Sequence, residues 1–415
     1  MFCLVGHKNE IALVFLCESA SVRHMPNTTQ NFDSIRPYND DEVSKIVAEV
    51  LANEDLAKAA CHLVMPKILH NTWLGEVLTR RLLKLRTSRL NSVQDVQTFL
   101  AQYFAKLVNT TCDDLTFSGM ENLSSDKAYL FISNHRDIVL DSSLLNFGLY
   151  NHGLDTCRQA VGDNLLRNKL TADLMRLNKS FVVERSVSGA KAMLKALNKT
   201  SAYVRHSLEE QASVWIAQKE GRAKDGWDRT DPALLKMLAL AHRDEDDALN
   251  ALFDRCDILP VSVSYELDPC AGLKAHELSV VATHGQYDKA AEEDVRSIVV
   301  GLTGNKGRVH IHISAPVKGP FESPEAAAAA IDAKIVGGLR VFPTHVEACK
   351  RKGLKDNCVS PEAAVPINEK VMRRFIKQLR KTPLAERPFL LDQYANLVCN
   401  QQALINAQDN QDPSK

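Results

Sequence analysis

Tyr129-Leu130-Phe131-Ile132-Ser133-Asn134-His135-Arg136-Asp137-Ile138-Val139-Leu140-Asp141 is the stretch on which the fold turns. Its first five residues are strand-length and nearly apolar throughout, as expected of a strand buried on both faces. A polar turn follows, then a helical pattern over 142–149. The same alternation continues downstream. Strand-like runs lie at 180–184, 212–217, 258–265, 278–283 and 309–314, with helical patterns at 165–177, 189–208, 232–241 and 289–302. Strands alternating with helices of this length predict an α/β domain over 113–320, its central sheet largely parallel and flanked by helices.

Outside that domain the periodicity is helical. Val43, Ile46, Val47, Val50 and Leu51 recur at helix spacing, and Leu74, Val77, Leu78, Leu82 and Leu85 fall on one face of a second helix. An N-terminal helical region over 41–112 and a C-terminal one over 321–400 are therefore expected, with a polar tail at 401–415. Residues 1–40 are expected to be a disordered leader, and Met25, opening Met-Pro-Asn-Thr-Thr, offers an alternative start. The apolar run at 11–17 lacks the cationic approach and the length of a secretory signal.

The 415 residues hold 51 basic and 51 acidic side chains, so no chain-wide charge is available for nucleic acid. Hydrophobic residues at 45% and charged ones at 25% are those of an ordinary soluble protein with a real core. The 10 cysteines are scattered and form no Cys-x-x-Cys, which reads as reduced thiols in the cytoplasm. No apolar run approaches the ~20 residues that cross a bilayer.

In parallel sheets ligands gather at the carboxyl ends of strands. His135 stands at such an end, with Asp137 and Asp141 beyond it. An imidazole there can act as general base while a carboxylate fixes its tautomer and steadies the charge that forms. Taken alone, such a pair is more often a helix cap beside a surface charge. The other strand ends add to it: Glu184-Arg185, then Gln218-Lys219-Glu220-Gly221-Arg222, then Ile258-Leu259-Pro260-Val261. Guanidinium groups suit phosphate, and a glycine permits a sharp turn or close ligand approach.

In order and separation these pieces resemble the four blocks of the glycerolipid acyltransferases, over about half the chain, 117–320. Asn134, His135 and Asp141 match the first block, Glu184-Arg185 the second, Glu220, Gly221 and Arg222 the third, and Pro260 the fourth. The resemblance implies direct acyl transfer. His135 would deprotonate an acceptor hydroxyl and Asp141 would orient it. Asn134, Arg136, Arg185, Glu220, Gly221 and Arg222 would bind a glycerol-phosphate-type acceptor (lysophosphatidic acid or glycerol 3-phosphate), and Pro260 would shape the acyl-donor side. The donor would be acyl-CoA or acyl carrier protein, with no metal and no other cofactor.

Two departures stand out. Five residues, 136–140, separate His135 from Asp141, where the family has four. On a regular helix one extra residue turns a side chain by about 100°, so Asp141 serves only if the backbone bends there, and Asp137 competes for the role. The third block is one residue short, Arg222 following Gly221 directly. An alternative of another class is thus a catalytically impaired relative that binds lipid or acyl carrier. A hydrolase is disfavoured by the absence of a Gly-x-Ser-x-Gly elbow. His310 and His312 are read as ordinary strand histidines rather than metal ligands.

Two basic stretches, 67–89 and 370–387, carry interleaved apolar residues. Either could lie on anionic lipid at the inner face of the cytoplasmic membrane, or pack on the core with a solvated charged face. Both readings remain open from sequence.

Overall fold

A computed structural model describes residues 2–7, 10–15, 31–70, 72–166, 168–290, 292–354 and 366–409. The chain forms two compact units, residues 1–104 with 158–203, and residues 105–157 with 204–415.

In the smaller unit β1 (Phe2–His7) and β2 (Glu10–Phe15) pair antiparallel within the stretch expected to be a disordered leader. Met25 lies outside the described residues. Helices at Asp40–Ala52, Glu54–Val64 and Trp73–Thr87 follow, and a fourth spans Val93–Thr111. Val43, Ile46, Val50, Val96 and Leu177 form one apolar cluster in this unit.

The larger unit takes in residues 105–111 of that fourth helix and continues with β3 (Cys112–Ser118) and β4 (Leu130–Ser133). The smaller unit's parallel pair, β5 (Arg158–Gly162) and β6 (Ser180–Val183), comes next in sequence. The larger unit resumes with β7 (Val214–Ala217), β8 (Ile258–Tyr265) and β9 (Gly307–Ile313). Its strands lie in the order β3-β9-β8-β4-β7. β4 is parallel to both β7 and β8, and β3 to β9; β8 and β9 pair antiparallel. The fold is therefore α/β with a mostly parallel sheet. Every residue of β4 and β8 is buried, which is why both read as apolar runs.

One expected strand is absent. Residues 278–283 belong to the helix Ala271–His284, which closes on Gly285 at φ +80°. Its β-branched Val280 and Val281 sit at the end of a longer helix-favouring run that starts at Ala271, and the run wins. Two strands carry no sequence signal. β3 is half polar because it is an edge strand with partly exposed residues, and β5 is only Arg-Gln-Ala-Val-Gly.

Four helices, Pro324–Gly338, Pro343–Arg351, Glu369–Lys381 and Arg387–Asp409, make the C-terminal part. The last runs into the stretch expected to be a polar tail, whose Ala, Leu and Gln residues continue it.

Candidate active site

β4 ends at Ser133 and the next helix begins at Leu140, so His135 sits in a loop. Asp137 builds that loop: its Oδ1 accepts from the backbone N–H of Val139 (3.0 Å) and of Leu140 (2.9 Å), an Asx-type turn that leads into the helix. Asp141 is the helix's second residue. The extra residue of the interval is taken up before the helix starts, and helical angular drift never applies.

The imidazole and Asp141 meet. His135 Nδ1 donates to Asp141 Oδ2 at 2.9 Å. The same oxygen accepts from the backbone N–H of Arg136 (2.6 Å) and of Asp137 (2.9 Å), and Oδ1 accepts from the Tyr265 hydroxyl (2.8 Å). Burial pushes this carboxyl upward, but the hydrogen bond and charge of His135, with the Asp137 amide and Tyr265, hold it below the ordinary carboxylate range. Burial, then the neighbouring Asp141, drives Asp137 the other way, and burial beside that carboxylate raises Tyr265 well above a normal phenol. Asp141, not Asp137, is the acid that orients the imidazole.

His135 keeps 14% of its side chain exposed, and nothing among the described residues hydrogen-bonds its Nε2. Trp215 backs the ring edge-on, centroids 5.9 Å apart, with its Nε1 donating to Ser133 Oγ at 3.0 Å.

The loop after β7 is stitched onto the His135 loop. The Gln218 N–H donates to the Ser133 carbonyl (2.8 Å), Ala223 N–H to the His135 carbonyl (2.8 Å), and Asp231 N–H to the Gln218 carbonyl (2.9 Å). Glu220, Gly221 and Arg222 lie between these anchors. Gly221 holds φ +75° with open space where a Cβ would stand, so only its backbone conformation demands glycine. One guanidinium nitrogen of Arg222, Nη1, is buried without a partner among the described residues.

Four expected substrate-binding residues make other contacts. Asn134 is fully buried and clasps Val263, donating to its carbonyl (3.0 Å) and accepting from its N–H (2.8 Å). Arg136 turns inward: it pairs with Asp228 and donates to the carbonyls of Ala223 and Gly226. Burial still holds Asp228 above the usual carboxylate range against that cation. Pro260 lies inside the sheet, opposite Ile132, and its carbonyl accepts from Ser314 N–H. Its missing N–H therefore falls where β9 has already ended, which is how a central strand tolerates proline. Arg185 belongs to the smaller unit, where its N–H donates to Asp163 (3.2 Å) and its guanidinium lies over Gly162.

Four partners of the site escaped the sequence reading: Tyr265, Trp215, Asp228 and Lys274. Lys274 is buried, paired with Asp268, and donates to the Arg136 carbonyl at 2.6 Å. Tyr265 had a signal, as the last residue of β8. Lys274 had none, because its helix was read partly as strand.

His310 and His312 hydrogen-bond along the β3–β9 edge with Thr116 and Ser118, and burial pushes His310 down to about 4. No group of three or more potential metal ligands occurs among the described residues.

At the carboxyl end of β4 an imidazole thus meets a buried carboxylate, an arrangement able to take a proton from a hydroxyl. Residues 114–264 match the family model Acyltransferase. The matched stretch takes in all four sequence blocks, from Asn134 to Pro260. Among solved structures it is similar to the 1-acyl-sn-glycerophosphate acyltransferase PlsC of Thermotoga maritima, at 15% identity and TM-score 0.37, over 69% of this chain and 94% of that one. It is also similar to the signal recognition particle receptor FtsY of Elizabethkingia anophelis with GDP, at 10% identity and TM-score 0.21, over 71% and 94%. Both scores are too low to bear on chemistry. No curated protein matches the chain.

Proposed function

We propose that the protein moves a fatty acyl group from a thioester, acyl-CoA or acyl carrier protein, to a hydroxyl of a glycerol-phosphate-type acceptor such as lysophosphatidic acid or glycerol 3-phosphate. The observation that carries this reading is the hydrogen-bonded series Tyr265–Asp141–His135, which leaves His135 Nε2 without a partner among the described residues. Nε2 takes the proton of the acceptor hydroxyl as its oxygen attacks the thioester carbon. The C–S bond then breaks, and the imidazolium returns the proton to the departing thiolate. Asp141, held ionised, stabilises the imidazolium between those steps. Arg222, with its unpartnered nitrogen, binds the acceptor phosphate.

His135→Ala and Asp141→Asn test the reading with radiolabelled acyl donors and both acceptors. Each is expected to cost ~10²–10⁴-fold in turnover with an unchanged circular dichroism spectrum. Full activity in His135→Ala removes the proposal, and binding without transfer by the unaltered protein favours the impaired-relative alternative.

For an acceptor held in a bilayer, the helix Trp73–Thr87 supplies the contact. It exposes Trp73 (76%) and Leu85 (75%) beside Arg81 and Lys84, a composition that seats in the interface of anionic lipid. No helix among the described residues is long and apolar enough to cross a membrane.

A further inference from the structure

The second basic helix, Glu369–Lys381, has its apolar side already satisfied. Val371, Phe375 and Leu379 are buried in a cluster with Leu267, Ala271 and Tyr394, and the Phe375 and Tyr394 rings meet edge-on at 5.0 Å. What faces out is charge. Arg373 pairs with Glu369, and Arg374 lies 3.6 Å from Asp113. Lys370, Lys377, Arg380 and Lys381 form no ion pair among the described residues, and neither does Arg296 on the neighbouring helix Glu293–Thr303. In a chain whose formal charge is zero, this is a local excess of cations.

Between the two helices runs a groove of about 610 Å³. Pro269, Leu273 and Val300 line its more enclosed part, and Arg296, Lys377 and Lys381 its exposed part. The loop of Leu267, Asp268 and Pro269 leaves the carboxyl end of β8, which runs parallel to β4, so the groove's lining starts at the end of the sheet where His135 also stands. Asp268 in its lining is paired with Lys274, whose Nζ holds the carbonyl of Arg136, the residue after His135.

We propose that this helix face and groove dock the carrier of the acyl donor, and that the carrier is a small acidic protein presenting its thioester on a phosphopantetheine arm. The proposal rests on the acyl-transfer reading and names the donor's source. Charge complementarity selects the occupant. Unpaired cations spread along a helix ~20 Å long exceed what one nucleotide's phosphates would span. With the apolar side of the helix buried against protein, what the helix itself offers a partner is charge. The arm would lie in the groove and bring the thioester toward His135.

Binding of holo acyl carrier protein to the full chain, measured by fluorescence anisotropy at low salt, tests this. The triple variant Lys377→Glu, Arg380→Glu, Lys381→Glu is expected to bind at least about tenfold more weakly, as like charges face each other. The matching Lys377→Arg, Lys381→Arg variant keeps its affinity and shows that charge is what matters. Absence of carrier binding by the unaltered protein, equal binding by the triple variant, or loss of coenzyme A or anionic-vesicle binding in place of carrier binding each overturns the proposal. Charge-dependent carrier binding without acyl transfer to any acceptor sinks the acyl-transfer reading and leaves the docking surface standing. Transfer from acyl-CoA by a protein that ignores the carrier does the reverse.

Discussion

Two helices of this protein look alike in sequence and are built inside out with respect to each other. Trp73–Thr87 and Glu369–Lys381 are both rich in lysine and arginine with a recurring apolar stripe. In Glu369–Lys381 the stripe is buried and the charges face solvent. In Trp73–Thr87 the buried positions are Gly75, Thr79 and Thr87, and the stripe of Trp73, Leu74, Val77, Leu78 and Leu85 is exposed. The inward side is small because the approach is close. A Cβ on Gly75 would stand 2.1 Å from the Leu69 carbonyl oxygen, and the Thr79 hydroxyl turns back to the Gly75 carbonyl. Periodicity fixes that a helix has an apolar face. It does not fix whether protein or lipid covers it.

The largest way to break this contrast is by folding stability. Phe375→Ala empties a core position and is expected to cost about 3–5 kcal/mol in urea unfolding. Trp73→Ala, with its ring already in solvent, is expected to fall within about 0.5 kcal/mol of the unaltered protein. Equal losses would mean that both stripes are core. Next comes lipid: each large apolar side chain that leaves water contributes about 1.5–3 kcal/mol. Trp73→Ala with Leu85→Ala should therefore lower partitioning to anionic vesicles at least about tenfold, as read by vesicle sedimentation. The smallest effect is a single charge. Arg81→Gln is expected to weaken vesicle binding by about 1 kcal/mol, and that difference should fade in ~1 M salt, where screening acts over ~3 Å.

Much of the fold was legible because buried parallel strands announce themselves. β4, β7 and β8 are short apolar runs between helix-spaced segments. β3 and β5 were not, since β3 is an edge strand with exposed polar positions and β5 is the short Arg-Gln-Ala-Val-Gly with no apolar run. Within the site, His135 and Asp141 were readable as residues, and the loop that brings them together was anticipated only as a bend. Direction was the hidden quantity. Asn134 and Arg136 flank the base in sequence, yet one clasps Val263 and the other reaches Asp228. Adjacency along a loop carries no record of which way each side chain leaves it. Tyr265 at least ends a legible strand, whereas Lys274 comes from the helix after it and only folding brings it to the Arg136 carbonyl.

The interval between a base and its acid is often treated as a signature to be searched for letter by letter. Here the acid rides on the opening turn of a helix and the base on the coil before it, with Asp137 tying the junction. Such a hinge can gain or lose a residue while the two working atoms keep their separation. A search keyed to a fixed count passes over chains built this way. One keyed to a histidine after a buried strand and an aspartate in the next helical turn retrieves them.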